Sequence, residues 1–485
     1  VSATFVERLS EGLNPIVVKE LRQGLRTRVF WLSFGAMLLA CLVVALVAFA
    51  ANQNDEFAFD GNKYFLAFFV CLGLVHFFII PYTAYRSLSR EREDETWVLL
   101  TLTGLGPRSI LRGKLGSFLV QAALYASAAT PFMLFSYFLN GIDLPTILVT
   151  VALGWAYTLF LTAVAVSAAT LAETKLLRAV MHLAVLGMLM GGAALGLGFA
   201  AALTEEGARL LDDREVKLAM LAAGWATVSF GALLFEGAAA RLSLVTESYA
   251  FGPRLVFVLQ SLASAVIGYF VWDSDGRKAD VSMVLGIIYC VVVVMGGAFL
   301  VSDYDGQSRR QRALTRGFSL FRPGALRGFR LVMAVLALGV GFWMTLYYAS
   351  VLGTNTADKD EPLFTFLAGA CYVALYLSAS LLAGRLPFLR ELGPATASRL
   401  MFVALVFAGS TLPPLVAVLW GARARAARPN LFNPVVGMVN FAESATLRDG
   451  GMPSPTKYLA VLAGVTALFV LAADLTLGSR DDRVP

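Results

Sequence analysis

The sequence predicts an all-α, polytopic bundle of about twelve membrane-crossing helices, and three observations predict it. Apolar residues fill 58% of the 485 positions and charged residues only 15%, against about 25% charged in an ordinary soluble domain. About a dozen apolar runs reach roughly 18 residues or more, the length that spans a hydrocarbon core. All 39 lysines and arginines fall outside those runs. No connector is long enough to fold as a separate soluble domain of any size.

The runs lie at roughly 29–51, 64–83, 115–139, 146–171, 180–203, 218–238, 255–272, 281–301, 331–351, 362–384, 400–420 and 458–477. If both termini share a side, the connectors on that side carry 27 basic residues and the other six carry 12. The positive-inside rule then places both termini, and the connector that holds Arg86 to Lys114, in the cytoplasm. Arg423, Arg425 and Arg428 follow the eleventh run on the opposite side, against this trend. That run contains Thr411-Leu412-Pro413-Pro414, and a proline pair could break it into a re-entrant hairpin. Eleven spans with an external C-terminus is the alternative.

Arg8, Lys19, Arg22, Arg26 and Arg28 precede the first run without a small-residue cleavage pattern, so no cleavable signal is expected. The net charge of +6 reports topology rather than nucleic-acid binding. Cys41, Cys71, Cys290 and Cys371 all sit in apolar runs, lack CxxC spacing, and read as small buried apolar residues rather than metal or redox groups.

Taken in order, the first element is an amphipathic helix before the first run. Pro15 suits a first helical turn with Asn14 as its cap. Apolar positions 17, 18, 21, 25 and 29 recur at helical spacing, with Lys19, Glu20, Arg22, Gln23 and Arg26 on the other side. This pattern suits a helix lying in the membrane interface, or a basic topogenic flank, or both. Between the second and third runs, a block of mixed charge from Arg90 to Glu95 turns amphipathic from Thr96 to Leu102. It then breaks at Gly104, Gly106 and Pro107.

In the fifth run, Gly187, Gly191, Gly192, Gly196 and Gly198 form a small-residue face that lets helices approach closely, within the chain or between copies. The segment 302–330 carries seven arginines interleaved with Leu314, Phe318, Leu320 and Phe321. It reads as a second interfacial helix suited to anionic lipid head groups, or as a strong inside signal between two six-span halves. Asn433-Pro434-Val435-Val436 and the apolar stripe to Leu447 predict a short helix or partial re-entry before the last run.

Sites of chemistry are sparse. Gly113-Lys114 is followed by Leu115 and lacks the upstream glycine of a phosphate-cradling loop. HExxH, GxSxG and metal-spaced His/Cys clusters are missing. His76 falls mid-run, where a packed, hydrogen-bonded imidazole competes with a transport role, and His182 lies near the inner end of the fifth run. Of 33 acidic residues only Glu236 and Asp474 lie within runs, each near the cytoplasmic end. Ion-coupled carriers need a carboxylate near the membrane midplane. A transporter built on this sequence would therefore draw energy from another chain.

Two stretches resemble the permease subunits of ABC-2 type transporters. Asn14-Pro15 with Lys19-Glu20-Leu21-Arg22 is similar to the family's N-terminal "NP…KELR", the elbow helix. Glu91-Arg92-Glu93, Thr96-Trp97, Leu99-Leu100, Thr103, Leu105, Pro107, Ile110 and Gly113-Lys114 resemble its "ERE..T…LL.TPLSP..I..GK" between spans two and three, which holds the coupling helix. This chain has Gly104 and Gly106 where the family usually has Pro and Ser. The resemblance covers roughly residues 10–240, with no second coupling motif in 241–485.

The resemblance implies an elbow helix in 1–28, a six-span, type V exporter-like core in 29–240 with a coupling loop at 86–114, and a C-terminal helical extension in 241–485 containing the basic linker 302–330. It implies a permease, an exporter, in a prokaryotic inner membrane. Such a chain is not catalytic by itself and binds no cofactor. A separate nucleotide-binding ATPase subunit binds ATP and Mg and pulls on coupling helices of two permeases, a homodimer or a heterodimer.

In this reading Glu91, Arg92, Glu93 and Glu95 pair with the rim of a cleft in the ATPase. Trp97, Leu99 and Leu100 fill the cleft, and Pro107 starts the rigid link into span three. Membrane lipids are the other partners, and nucleic acid is not one. An ABC-2-like membrane scaffold or anchor without transport is the alternative. A membrane-embedded transferase would want paired carboxylates or histidines that these runs almost wholly lack.

Overall fold

Helices cap where the sequence places caps. In the computed structural model, which describes residues 14–52, 61–94, 105–139, 142–171, 175–206, 214–243, 250–301, 320–352, 361–419, 430–442 and 455–481, Asn14 Oδ1 accepts from the amide of Ile16 at 3.0 Å and Pro15 opens helix α1 (Pro15–Leu25). Asp143 likewise caps a later helix through Thr146. The described residues contain helices and turns and no strand.

The chain divides into two compact units, Val1–Ser243 and Leu244–Pro485. The first unit continues with α2 (Arg28–Asn52), α3 (Gly61–Leu74), a π-helical turn (Val75–Ile79), α4 (Ile80–Glu93), α5 (Pro107–Phe138), α6 (Leu144–Ala169), α7 (Lys175–Glu206) and α8 (Arg214–Leu242). Its core is aromatic and small-residue packing: Phe65, Phe68 and Phe77 are fully or almost fully buried, as are Ala84, Ala122 and Ala165. Helix α1 packs along the start of α5, and α4 packs on α6.

The second unit comprises α9 (Phe251–Ser274), α10 (Ala279–Leu300), α11 (Ala325–Leu352), α12 (Glu361–Ala383), a 3₁₀ turn (Pro387–Leu392), α13 (Pro394–Leu419), α14 (Pro434–Ala442) and α15 (Pro455–Asp481). Helix α12 is its hub, packed by α10, α13, α14 and α15. Fully buried Arg254 donates to the backbone carbonyls of Leu320, Arg322 and Gly324, pinning the turn that enters α11.

Twelve helices among the described residues are long and apolar enough to cross a membrane. Their outward surfaces are apolar: on α2 alone Leu32, Leu39, Leu46 and Phe49 are exposed. A soluble monomer rarely shows such a continuous apolar surface. The chain is a helical integral membrane protein.

The eleventh span is one continuous helix, α13, running through Pro413 and Pro414, so the proline pair does not break it into a hairpin. Each proline removes one i→i−4 bond. The carbonyl of Ser410, freed by Pro414, accepts from Asn433 Nδ2 at 3.0 Å. The segment after Asn433 is the nine-residue helix α14. Of the stretch read as a second interfacial helix, 302–319 lies outside the described residues, while Arg327 and Arg330 belong to α11.

The glycine stripe of span five divides in two. Gly192 and Gly196 pack against Leu161, Tyr157 and Phe77, whereas a Cβ on Gly187, Gly191 or Gly198 would meet open space. Successive helical residues are about 100° apart, so positions 191 and 192 point to different faces.

Candidate functional site

The two motifs meet at one buried cation. Lys114, in the second turn of α5, is fully buried, and its ammonium donates to Glu20 Oε1 at 3.0 Å, Glu91 Oε1 at 2.9 Å and Ser87 Oγ at 3.1 Å. Ser87 Oγ donates on to Glu20 Oε2 at 3.3 Å. Lys19 Nζ stands 3.8 Å from Glu20 and 4.0 Å from Glu91. Two ammoniums therefore face two carboxylates. An ion taken out of water costs several kcal/mol unless it is paired and hydrogen-bonded, and this cluster meets that condition.

Backbone proximity makes the cluster possible. A Cβ on Gly113 would stand 2.7 Å from Ile16 Cβ, and one on Gly24 would stand 2.6 Å from Gln121 Nε2. Small residues on both helices thus let α1 lie directly on α5. Asn14 Nδ2 adds a second tie, donating to the Ser109 carbonyl at 2.8 Å and to its hydroxyl at 3.2 Å. Glu20 follows Ile16 by four residues and shares its buried face. It is therefore not on the solvent side of an amphipathic helix, as its neighbours' pattern suggests; Lys19 and Arg22 are exposed there.

The charged block at the end of α4 is used within the chain. Glu91 takes the Lys114 bond. Arg92 Nη1 donates to the carbonyls of Ala169 at 3.3 Å and Thr170 at 2.5 Å, capping the end of α6. Glu93 is half exposed and pairs with Arg178 at 3.6 Å. Thr96, Trp97, Leu99 and Leu100 lie outside the described residues. Pro107 opens α5 after Gly106, whose extended backbone (φ −66°, ψ 152°) is one that any residue adopts.

The two carboxylates that fall within the apolar runs of the sequence are each paired with an arginine. Arg108 holds Glu236 through two nitrogens at 2.8–3.0 Å, and Arg330 holds Asp474 at 2.7 and 3.0 Å. His76, in the π-helical turn, donates from Nε2 to the Ala122 carbonyl at 3.1 Å; His182 shares a 2.7 Å hydrogen bond with Tyr82. All four cysteines are free thiols. Among the described residues no three His, Cys, Asp or Glu side chains gather to hold a metal ion.

The sequence places Glu20 in the N-terminal motif and Glu91 and Lys114 in the second. The missed relation is that one lysine serves both. The only signal was a lysine preceded by glycine at the edge of an apolar run. No protein-family model, curated protein or solved structure matches this chain.

Proposed function

We propose that this chain is the membrane-spanning permease subunit of an ATP-driven exporter of the ABC-2 type. It works in a prokaryotic cytoplasmic membrane with both termini inside, paired with a second permease and driven by a separate ATPase subunit that binds ATP and Mg. The observation that carries this reading is the Lys114 cluster. It ties the elbow-like helix α1 to the ends of α4 and α5 that flank the segment 95–104. Force applied by a partner to that segment would move α4 and α5, and the buried ion pairs would carry the displacement to α1 and on to α2.

The pairing of Glu236 and Asp474 with arginines supports an outside energy source, because neither carboxylate is placed as a midplane ion site. The chain supplies the pathway and the mechanical link, and the partner supplies hydrolysis.

Purification of the full chain from its native membrane, followed by mass spectrometry and ATPase assay in lipid nanodiscs, tests the proposal. A Walker-motif subunit is expected to co-purify in stoichiometric amount. Trp97→Ala or Glu93→Ala should lower its stimulated ATPase by about tenfold if one anchor carries the grip. Co-purification without such a subunit, or ATPase unchanged in both variants, would overturn it.

A further inference from the structure

The first unit holds a cavity of about 390 Å³, within the roughly 300–1,000 Å³ typical of small-molecule pockets. It lies between α7 and α8, with α6 as its floor. Both helices pack on α6, yet they have almost no direct contact with each other, so the space opens sideways between them. Leu195 and Phe199 on one rim and Val228 on the other are exposed.

The position along the bundle follows from the ion pairs. The end of α6, the start of α7 and the end of α8 lie at the cluster end of the bundle, because Arg92 caps Ala169 and Thr170, Glu93 pairs with Arg178, and Arg108 holds Glu236. The cavity is lined by 150–157 of α6, 195–203 of α7 and 220–228 of α8. It therefore lies in the opposite half of the membrane-crossing bundle.

Its chemistry is uniform. The polar side chains on its wall are Thr150, Tyr157 and Thr227, and each already donates to a backbone carbonyl: Thr146, Gly192 and Ala223, at 2.7, 3.0 and 2.7 Å. No charged side chain lines it. A polar guest would lose its water without gaining a donor, a net cost. An apolar guest loses nothing, and the space borders lipid, where hydrocarbon chains are the solvent. Left empty, an apolar cavity forfeits contacts on every wall.

We propose that this cavity is a binding site for the hydrocarbon chain of a membrane lipid from the leaflet opposite the Lys114 cluster. The site stands on the membrane-crossing fold alone and does not depend on an ATPase partner. Gly224 is its critical wall position: a Cβ there meets nothing within 4 Å, so a larger side chain would grow into the cavity without displacing the backbone.

The test reconstitutes the full chain in phosphatidylethanolamine–phosphatidylglycerol vesicles doped with a phosphatidylcholine carrying a diazirine midway along one chain. After illumination, adducts are mapped by peptide mass spectrometry. Adducts are expected on Tyr157, Phe199 and Met220 well above those on the outward-facing Leu183. They should fall in Gly224→Leu, which puts a bulky side chain into the space, and stay unchanged in Gly187→Leu, which adds bulk on an open face.

Wild-type labelling of those three residues no stronger than of Leu183 would overturn the site. So would labelling unchanged in Gly224→Leu, or oxidative disulfide dimerisation of a Phe199→Cys variant, which would place a second copy on that rim. If Gly224→Leu does not fold, Ala223→Leu on the same wall and the wild-type adduct map decide the matter.

Discussion

Lys114 and Glu20, 94 positions apart in sequence, form a 3.0 Å ion pair in which the ammonium is fully buried and the carboxylate nearly so. Glu91 shares the same ammonium, so Lys114 hydrogen-bonds to both motif carboxylates. Removing one partner from a buried pair costs about 3–5 kcal/mol, because the remaining charge stays buried without its counterion. Lys114→Met is therefore expected to lower the thermal unfolding midpoint of the detergent-purified protein markedly. Adding Glu20→Gln should recover part of the loss, since one stranded charge is gone. A Lys114→Met protein that melts with the wild type would show that the cluster does not hold the fold.

The approach of α1 to α5 depends on the absence of a side chain at Gly113. A Cβ there would stand 2.7 Å from Ile16 Cβ, closer than real Cβ atoms approach, and Ile16 Cβ is fixed to the α1 backbone. Overpacking of this kind costs about 1–3 kcal/mol. Gly113→Ala should push α1 outward, and hydrogen exchange of amides 17–25 should quicken. Unchanged exchange in α1 would mean that the helix is held from elsewhere.

Much of the architecture was legible because the membrane writes a strong local signal: runs of apolar residues bounded by Lys and Arg mark the spans. Asn14-Pro15 marked the start of α1 for an equally local reason, a side chain that caps its own helix. What the sequence could not show is tertiary pairing. Glu20 sits among exposed charges and looks like one of them, and only the crossing of α1 over α5 turns it inward. Arg254 stands one position before an apolar run, and it is fully buried on three carbonyls. The glycine stripe looked like one face because spacing alone does not separate neighbours pointing about 100° apart. The cavity was invisible for the same reason, being a gap between elements rather than a motif within one.

Arg92 closes the end of α6. Its guanidinium donates to the last carbonyls of that helix, where a cation also meets the negative end of the helix dipole. Arg92→Met should cost about 1.5–3 kcal/mol, the range for hydrogen bonds made by a charged donor. The amides of Thr170 and Leu171, which bond back to Ser167 and Ala168, should exchange faster while those at the start of α6 are unaffected. Uniform change along α6 would point to global destabilisation instead of a lost cap.

Asn433 lets α13 pass through two prolines unbroken. Pro414 cannot donate to Ser410, and Asn433 Nδ2 supplies that bond at 3.0 Å. The same side chain's oxygen accepts from the amides of Val435 and Val436 at 2.9 and 3.0 Å, which starts α14. One fully buried amide thus serves two helices. Its loss leaves a carbonyl unsatisfied inside an apolar bundle, at about 1–3 kcal/mol, and removes a helix cap worth about 1 kcal/mol. Asn433→Ala should lower the unfolding midpoint and loosen α14, read as faster exchange at Val435 and Val436. Asn433→Asp keeps the cap oxygen but cannot donate to Ser410, so it should restore protection at Val435 and Val436 without restoring the full midpoint. Equal recovery of both by Asp would show that the Ser410 bond contributes nothing and that α13 tolerates its prolines unaided.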